Sequence, residues 1–129
     1  MARPQLTALG QEKLKTLDEA ALQMQTVHSI VERMALALRT QQPLLPYAQQ
    51  LRRTVVPIAD LLSAQFTAIA DQVTGLNLLA TRGGNDAMKV RALREAVGAI
   101  KAELDVAARK VREQHAAEAS GGSGMGSGE

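Results

Sequence analysis

Apolar residues recur every seven positions along three long stretches of this chain. In the first stretch Leu17, Met24, Val31 and Leu38 form one row, and Val27, Ile30 and Met34 thicken it. Glu12, Lys13, Lys15, Asp18, Glu19, Glu32 and Arg33 mostly fall outside that row. A stripe of this kind is the mark of an amphipathic helix. Its expected span is 5–39, with Pro4 at the start, where proline is tolerated. Gly10 is expected to fray or bend its first turns.

The second stretch carries Val55, Leu62, Ile69 and Leu76 on the same beat. A companion row begins with Leu51 and Ile58, but Gln65 and Gln72 occupy its next places, and Phe66 and Val73 take over one residue later. A straight helix of 3.6 residues per turn drifts against a strict heptad in this direction. The pattern therefore predicts one fairly straight helix over 43–81, entered through Thr40-Gln41-Gln42-Pro43, with Thr40 as a cap and Pro43 as the opener. Pro57 lies inside it, removes a backbone donor and crowds the carbonyl of Arg53. Leu51, Val55, Ile58 and Leu62 keep phase across the proline, which favours a kink at Pro57 over a split near Val56.

Paired glycines in Arg82-Gly83-Gly84-Asn85-Asp86 end that helix, and Asn85 or Asp86 caps the next. The third stretch, 86–115, has the cleanest heptad: Val90, Leu93, Val97, Ile100, Leu104, Ala107 and Val111. Gly98 sits inside it, where glycine costs about 1 kcal/mol against alanine, and is expected to mark a close helix–helix approach. Residues 1–118 form the helical domain, and the Gly/Ser-rich 119–129 reads as a flexible tail.

Short linkers make neighbouring helices antiparallel. The expected fold is all-α, an up-down-up antiparallel three-helix bundle of long amphipathic helices. The second helix has more apolar positions than two neighbours need: Leu44, Leu45, Val56, Leu61, Leu78 and Leu79. These six are the candidate interaction surface, to be covered by a second copy or by a protein partner.

Composition sharpens the picture. Aromatic residues make up 2% of the 129 positions, only Tyr47 and Phe66, so Leu, Ile, Val, Met and Ala must fill the core. That filling suits closely spaced helices, and strand-forming residues never cluster. The absence of cysteine removes disulfides, thiolate metal sites and thiol nucleophiles from consideration. No apolar run is long enough to span a membrane, and Met1-Ala2-Arg3-Pro4-Gln5 lacks the apolar core of a signal peptide. The expected location is cytoplasmic. A net charge of +2 with mixed signs falls short of a nucleic-acid signature.

Candidate chemistry is sparse. His28 is placed on the core side of the first helix between Ala21 and Ala35, with Glu32 one turn later. His28 and Glu32 could line a ligand pocket, although a partly buried histidine with one partner explains the same pattern more plainly. One histidine is not a metal site, and His115 stands near a helix end where fraying is expected. There is no Gly-x-Ser-x-Gly elbow, no phosphate-cradling loop and no pair of Glu-x-x-His motifs. No enzyme activity and no cofactor are expected.

Arg82, Lys89, Arg91 and Arg94 outnumber Asp86 around the second linker and form a candidate basic patch for an anionic partner. Pairs such as Arg91–Glu95 and Arg109–Glu113 would neutralise much of the basic surface, and no aromatic side chain interleaves for base stacking. The leading expectation is a non-enzymatic helical interaction module, a scaffold, adaptor or assembly subunit. A ligand-binding bundle with its pocket near His28 is the alternative, and nucleic-acid or anion binding by the basic patch is weaker.

Overall fold

Thr7 opens the first helix by capping it: its hydroxyl oxygen accepts the backbone N–H of Gly10 at 3.0 Å. The computed structural model describes residues 7–124, with side chains described through His115. Pro4, expected at the helix start, lies outside the described residues. Four α-helices follow in chain order: α1 Ala8–Arg39, α2 Leu45–Ser63, α3 Thr67–Thr81 and α4 Asp86–Gly124. There is no strand among the described residues.

The heptad rows fold as the spacing demands. Leu17, Met24 and Val31 of α1, Val55 and Leu62 of α2, Ile69 and Leu76 of α3, and Val90, Leu93, Val97, Ile100, Leu104 and Val111 of α4 are all buried in one apolar cluster. Each fully buried Leu or Ile contributes about 1.5–3 kcal/mol relative to leaving it in water. All-α packing is therefore the architecture, as expected.

The helix count is not three. The long second helix is interrupted at Ala64-Gln65-Phe66, where Phe66 adopts φ −136 and ψ 60, outside the helical region. The change of row from Gln65 to Phe66, expected to be the drift of a straight helix, is the turn between α2 and α3. Pro57 does not divide the chain: it lies inside α2, exposed to solvent. Arg53, whose carbonyl loses its donor to Pro57, is exposed as well, so water can take the place of the missing bond.

Side-chain pairs set the directions. Arg94 of α4 grips Glu32 of α1, and His115 near the far end of α4 meets Thr7 at the start of α1, so these two helices are antiparallel. Leu45 and Ala48 at the start of α2 line the same cleft as Ala80 and Thr81 at the end of α3, so α2 and α3 form an antiparallel hairpin. Helix α1 packs on α2 and α4, α3 also packs on α2 and α4, and the diagonal pairs stay apart. The result is an up-down-up-down square of four helices in place of the expected three-helix bundle.

Length matters here. α1 has 32 residues, whereas α2 has 19 and α3 has 15. At about 1.5 Å per residue the hairpin is roughly half as long as α1. It flanks the half of the α1–α4 pair next to the 40–44 and 82–85 linkers. Beyond its tip α1 and α4 continue as a two-helix extension, which the contact between Thr7 and His115 closes.

Both linkers have defined chemistry. Thr40 caps no following helix; its hydroxyl donates back to Leu36 O at 3.0 Å. Gln42 N donates to Ala37 O and Gln41 N to Leu38 O, while Gln41 takes a left-handed φ of 59. That is a Schellman ending built without glycine. Helix α2 then starts at Leu45, two residues later than expected, with Pro46 in its first turn. In the second linker Gly84 has a φ of 113, and the Asn85 side chain accepts Met88 N at 3.1 Å, which makes Asn85 the cap of α4. Helix α4 runs on through 119–124, the first part of the stretch expected to be tail, carried there by the helix-favouring run Ala116-Ala117-Glu118-Ala119. The remaining residues, 125–129, lie outside the described residues.

Candidate interaction surface

Of the seven exposed large apolar side chains among the described residues, four stand at one end, the others being Leu9, Leu22 and Val56. Leu36 near the end of α1, Leu45 at the start of α2, Leu78 near the end of α3 and Met88 at the start of α4 are 52, 65, 66 and 70% exposed. All four stand at the bundle end that carries the 40–44 and 82–85 linkers, one on each helix. Single exposed leucines are ordinary, but four around one end form a surface that invites cover. Two clefts open among them. One is lined by Pro43, Leu45, Ala80 and Lys89, the other by Leu79, Arg82, Gly84 and Met88.

The six positions expected on this surface divide. Leu45, Val56 and Leu78 are exposed. Leu44 is not: it is buried in the core, because the chain enters α2 from beneath its first turn. Leu61 and Leu79 are half-buried against the core cluster. The hairpin between α2 and α3 explains the change, since a folded-back helix buries flanks that a single rod would leave open. Heptad spacing does not point to Leu36 and Met88, which lie outside the second stretch; their only sequence signal is an apolar residue off the heptad row beside a linker.

His28 and Glu32 do not form a pocket. His28 is exposed, as is its neighbour Ala21, and His28 lines none of the clefts described. Its row turns toward the flank of α1 rather than the core. Glu32 is instead bridged across to α4. Arg94 Nε donates to Glu32 Oε2 at 2.9 Å and Arg94 Nη2 to Glu32 Oε1 at 2.7 Å, a bidentate pair. The Arg94 hydrogen bonds hold the Glu32 carboxyl below the usual glutamate range; partial burial opposes this, and the charges of Arg94, His28 and Arg39 reinforce it. The same contact raises Arg94.

The basic patch is largely spoken for. Arg94 is committed to Glu32, Lys89 Nζ lies 3.7 Å from Asp86, and Arg91 Nε lies 3.8 Å from Glu95. Arg82 remains beside the glycine linker, with no ion pair among the described residues. The expected Arg109–Glu113 pair does not form.

His115, expected to fray, is 4% exposed, and its Nδ1 lies 2.8 Å from Thr7 Oγ1. Gly10 makes room for it. The glycine therefore serves a close approach rather than a bend. Gly98, expected at a close approach, faces open space instead.

No group of three His, Cys, Asp or Glu able to hold a metal occurs among the described residues, and no helix there is long and apolar enough to cross a membrane. Comparison with protein-family models, with curated proteins and with solved structures found no match.

Proposed function

We propose that this chain is a non-enzymatic helical interaction module, a scaffold, adaptor or assembly subunit, that works through protein–protein contacts at the linker end of its bundle. The observation that carries the reading is the group Leu36, Leu45, Leu78 and Met88, each at least half exposed and each on a different helix. Burying such side chains against a partner releases about 25 cal/mol for each Å² of apolar surface taken from water. The two clefts between them offer sockets for a partner's apolar side chains. Helices packed on one core carry all four side chains, so binding would cost little ordering of the surface.

The test is the triple variant L45E/L78E/M88E. All three residues are solvent-facing, so helical circular dichroism and the melting temperature should stay close to those of the parent. At about 0.5 M salt, where contacts between exposed charges are screened, the parent should self-associate in sedimentation or retain a defined protein in affinity capture, and the variant should do neither. A parent that sediments at that salt as a monomer of 13.7 kDa and retains nothing the variant does not also retain would overturn the reading.

A further inference from the structure

A second surface, on the opposite half of the molecule, carries both signs of charge in a self-complementary order. Where α1 and α4 run on beyond the α2–α3 hairpin, their outer seam opens into a cleft of about 390 Å³. Leu17 and Leu104 floor it, Ala21 and Ala108 form its sides, and Asp18, Asp105, Arg109 and Arg112 rim it. None of these four charged side chains has an ion-pair partner among the described residues.

Order along the seam is the decisive feature. On α4, Asp105 precedes Arg109 by one turn and Arg112 by two, a rise of roughly 6–10 Å. Helix α1 runs antiparallel to α4, held by Glu32–Arg94 above the cleft and Thr7–His115 below it. Between those two crosslinks Asp18 falls level with the turns of α4 next to Asp105. Both carboxylates therefore lie at the bundle-ward end of the cleft and both guanidiniums at the far end. A twofold axis through the cleft exchanges the two ends. It sets the acidic end of one copy against the basic end of the other, twice over, with Ala108 of both copies near the axis. Small side chains there let two helix pairs approach closely, and Leu22, 64% exposed and one turn from Asp18, adds apolar surface at the edge. A parallel arrangement would put like charges together.

We propose that the α1–α4 seam around Asp18, Asp105, Arg109 and Arg112 is a homodimer interface that docks a second copy of this chain antiparallel to the first. This surface is separate from the linker end, and the inference does not depend on what that end binds.

The experiment is charge reversal in complementary pairs, read by sedimentation of the full chain. At about 0.05 M salt the parent should sediment at twice 13.7 kDa, and raising salt to about 0.5 M should shift it toward the monomer. The variant D18R/D105R should be monomeric at low salt, and R109D/R112D likewise. An equimolar mixture of the two should regain the dimer mass, because every reversed contact is again between opposite charges. The neutral variant D18N/D105N, which disturbs the helices least, should weaken the dimer at least tenfold. Circular dichroism checks that each variant remains helical. A monomeric parent at low salt, reversed variants that stay dimeric, or a mixture that stays monomeric would each overturn the proposal. The linker-end reading fails differently: there, L45E/L78E/M88E and not the charge reversals would leave binding unchanged.

Discussion

Gly10 and His115 are in direct contact across the far end of the α1–α4 pair. A β-carbon added to Gly10 would stand 2.7 Å from His115 Cβ and 2.8 Å from its Cγ, closer than real carbon atoms approach. The histidine thus occupies the space that a side chain would need. Its Nδ1 also reaches Thr7, whose hydroxyl caps the same helix through Gly10 N. One buried residue holds the start of α1 against α4. The crowded atoms lie at the root of the His115 side chain, so no rotation of a flexible tip relieves the clash. Gly10→Ala should destabilise the fold by about 1–3 kcal/mol in urea denaturation. In a His115→Gly background the same change should cost far less, since both the β-carbon and the ring are gone. An equal cost in both backgrounds would show that Gly10 matters for some other reason.

Gly98 presents the opposite case. It is exposed in the middle of α4, and a β-carbon there would meet nothing within 4 Å. Only the backbone entropy of glycine in a helix remains. Gly98→Ala should stabilise the protein by about 0.5–1 kcal/mol, measured by the same denaturation midpoint.

The two glycines show where sequence reading reaches its limit. Heptad rows are local and periodic, so the buried faces of α1 and α4 are legible from spacing alone: Leu17, Met24, Val31, Val90, Leu93 and Val97 are all core. What a glycine faces depends on another helix, and no periodicity records that. The end of α2 is legible only as an anomaly. Gln65 and Gln72 break the row, and two explanations, drift of a straight rod or a chain reversal, produce the same letters. Ala64-Gln65-Phe66 contains neither glycine nor proline, so local chemistry does not choose between them. Tertiary packing does, because folding back lets the hairpin cover the apolar flanks of Leu61 and Leu79. The same reversal buries Leu44 and leaves Leu45 and Leu78 at the surface. His28 misleads for a related reason: it shares a row with buried Ala35, but that row borders the flank and stays dry only near the linker end.

The Glu32–Arg94 pair predicts a specific dependence on acid. The folded state depresses the Glu32 carboxyl through its hydrogen bonds to Arg94. A depressed acid contributes stability in full above its unfolded value, about 4.3, and loses it as pH falls through the folded value. Stability of the parent should therefore exceed that of Glu32→Gln at neutral pH, with the gap closing below about pH 4. Both side chains are nearly half exposed, so the gap is modest and should shrink with added salt. Carboxyl titration by NMR gives the direct check: Arg94→Gln should bring Glu32 back up toward the ordinary range. A Glu32 titration unmoved by that change would separate the shift from its assigned cause.

Gln41 adopts the left-handed conformation, φ 59, at the position after the α1 cap where glycine is usual. A side chain there costs about 1 kcal/mol against the neighbouring carbonyl. The bonds it enables, Gln42 N to Ala37 O and Gln41 N to Leu38 O, involve backbone alone and survive substitution. Gln41→Gly should raise stability by about 0.5–1 kcal/mol, less the added entropy of the unfolded chain. Gln41→Val should lower it, because a β-branched residue tolerates positive φ worst. The ordering Gly above Gln above Val in denaturation midpoint is the check.

Asn77 places a polar atom where it finds no partner among the described residues. Its Oδ1 is shielded from solvent and accepts no hydrogen bond there, although its backbone carbonyl accepts from Thr81 Oγ1 at 2.8 Å. A carbonyl oxygen taken out of water without a donor costs about 1–3 kcal/mol. Leucine has the same branched skeleton with larger methyl ends, loses no hydrogen bond at this half-buried position and adds helix propensity. Asn77→Leu should therefore stabilise the bundle by about 1–2 kcal/mol. Asn77→Asp, which puts a charge in the same shielded place, should destabilise it. The pair of variants separates burial of a polar atom from burial of a charge: a Leu variant no more stable than the parent would show that the orphaned oxygen does not limit stability here.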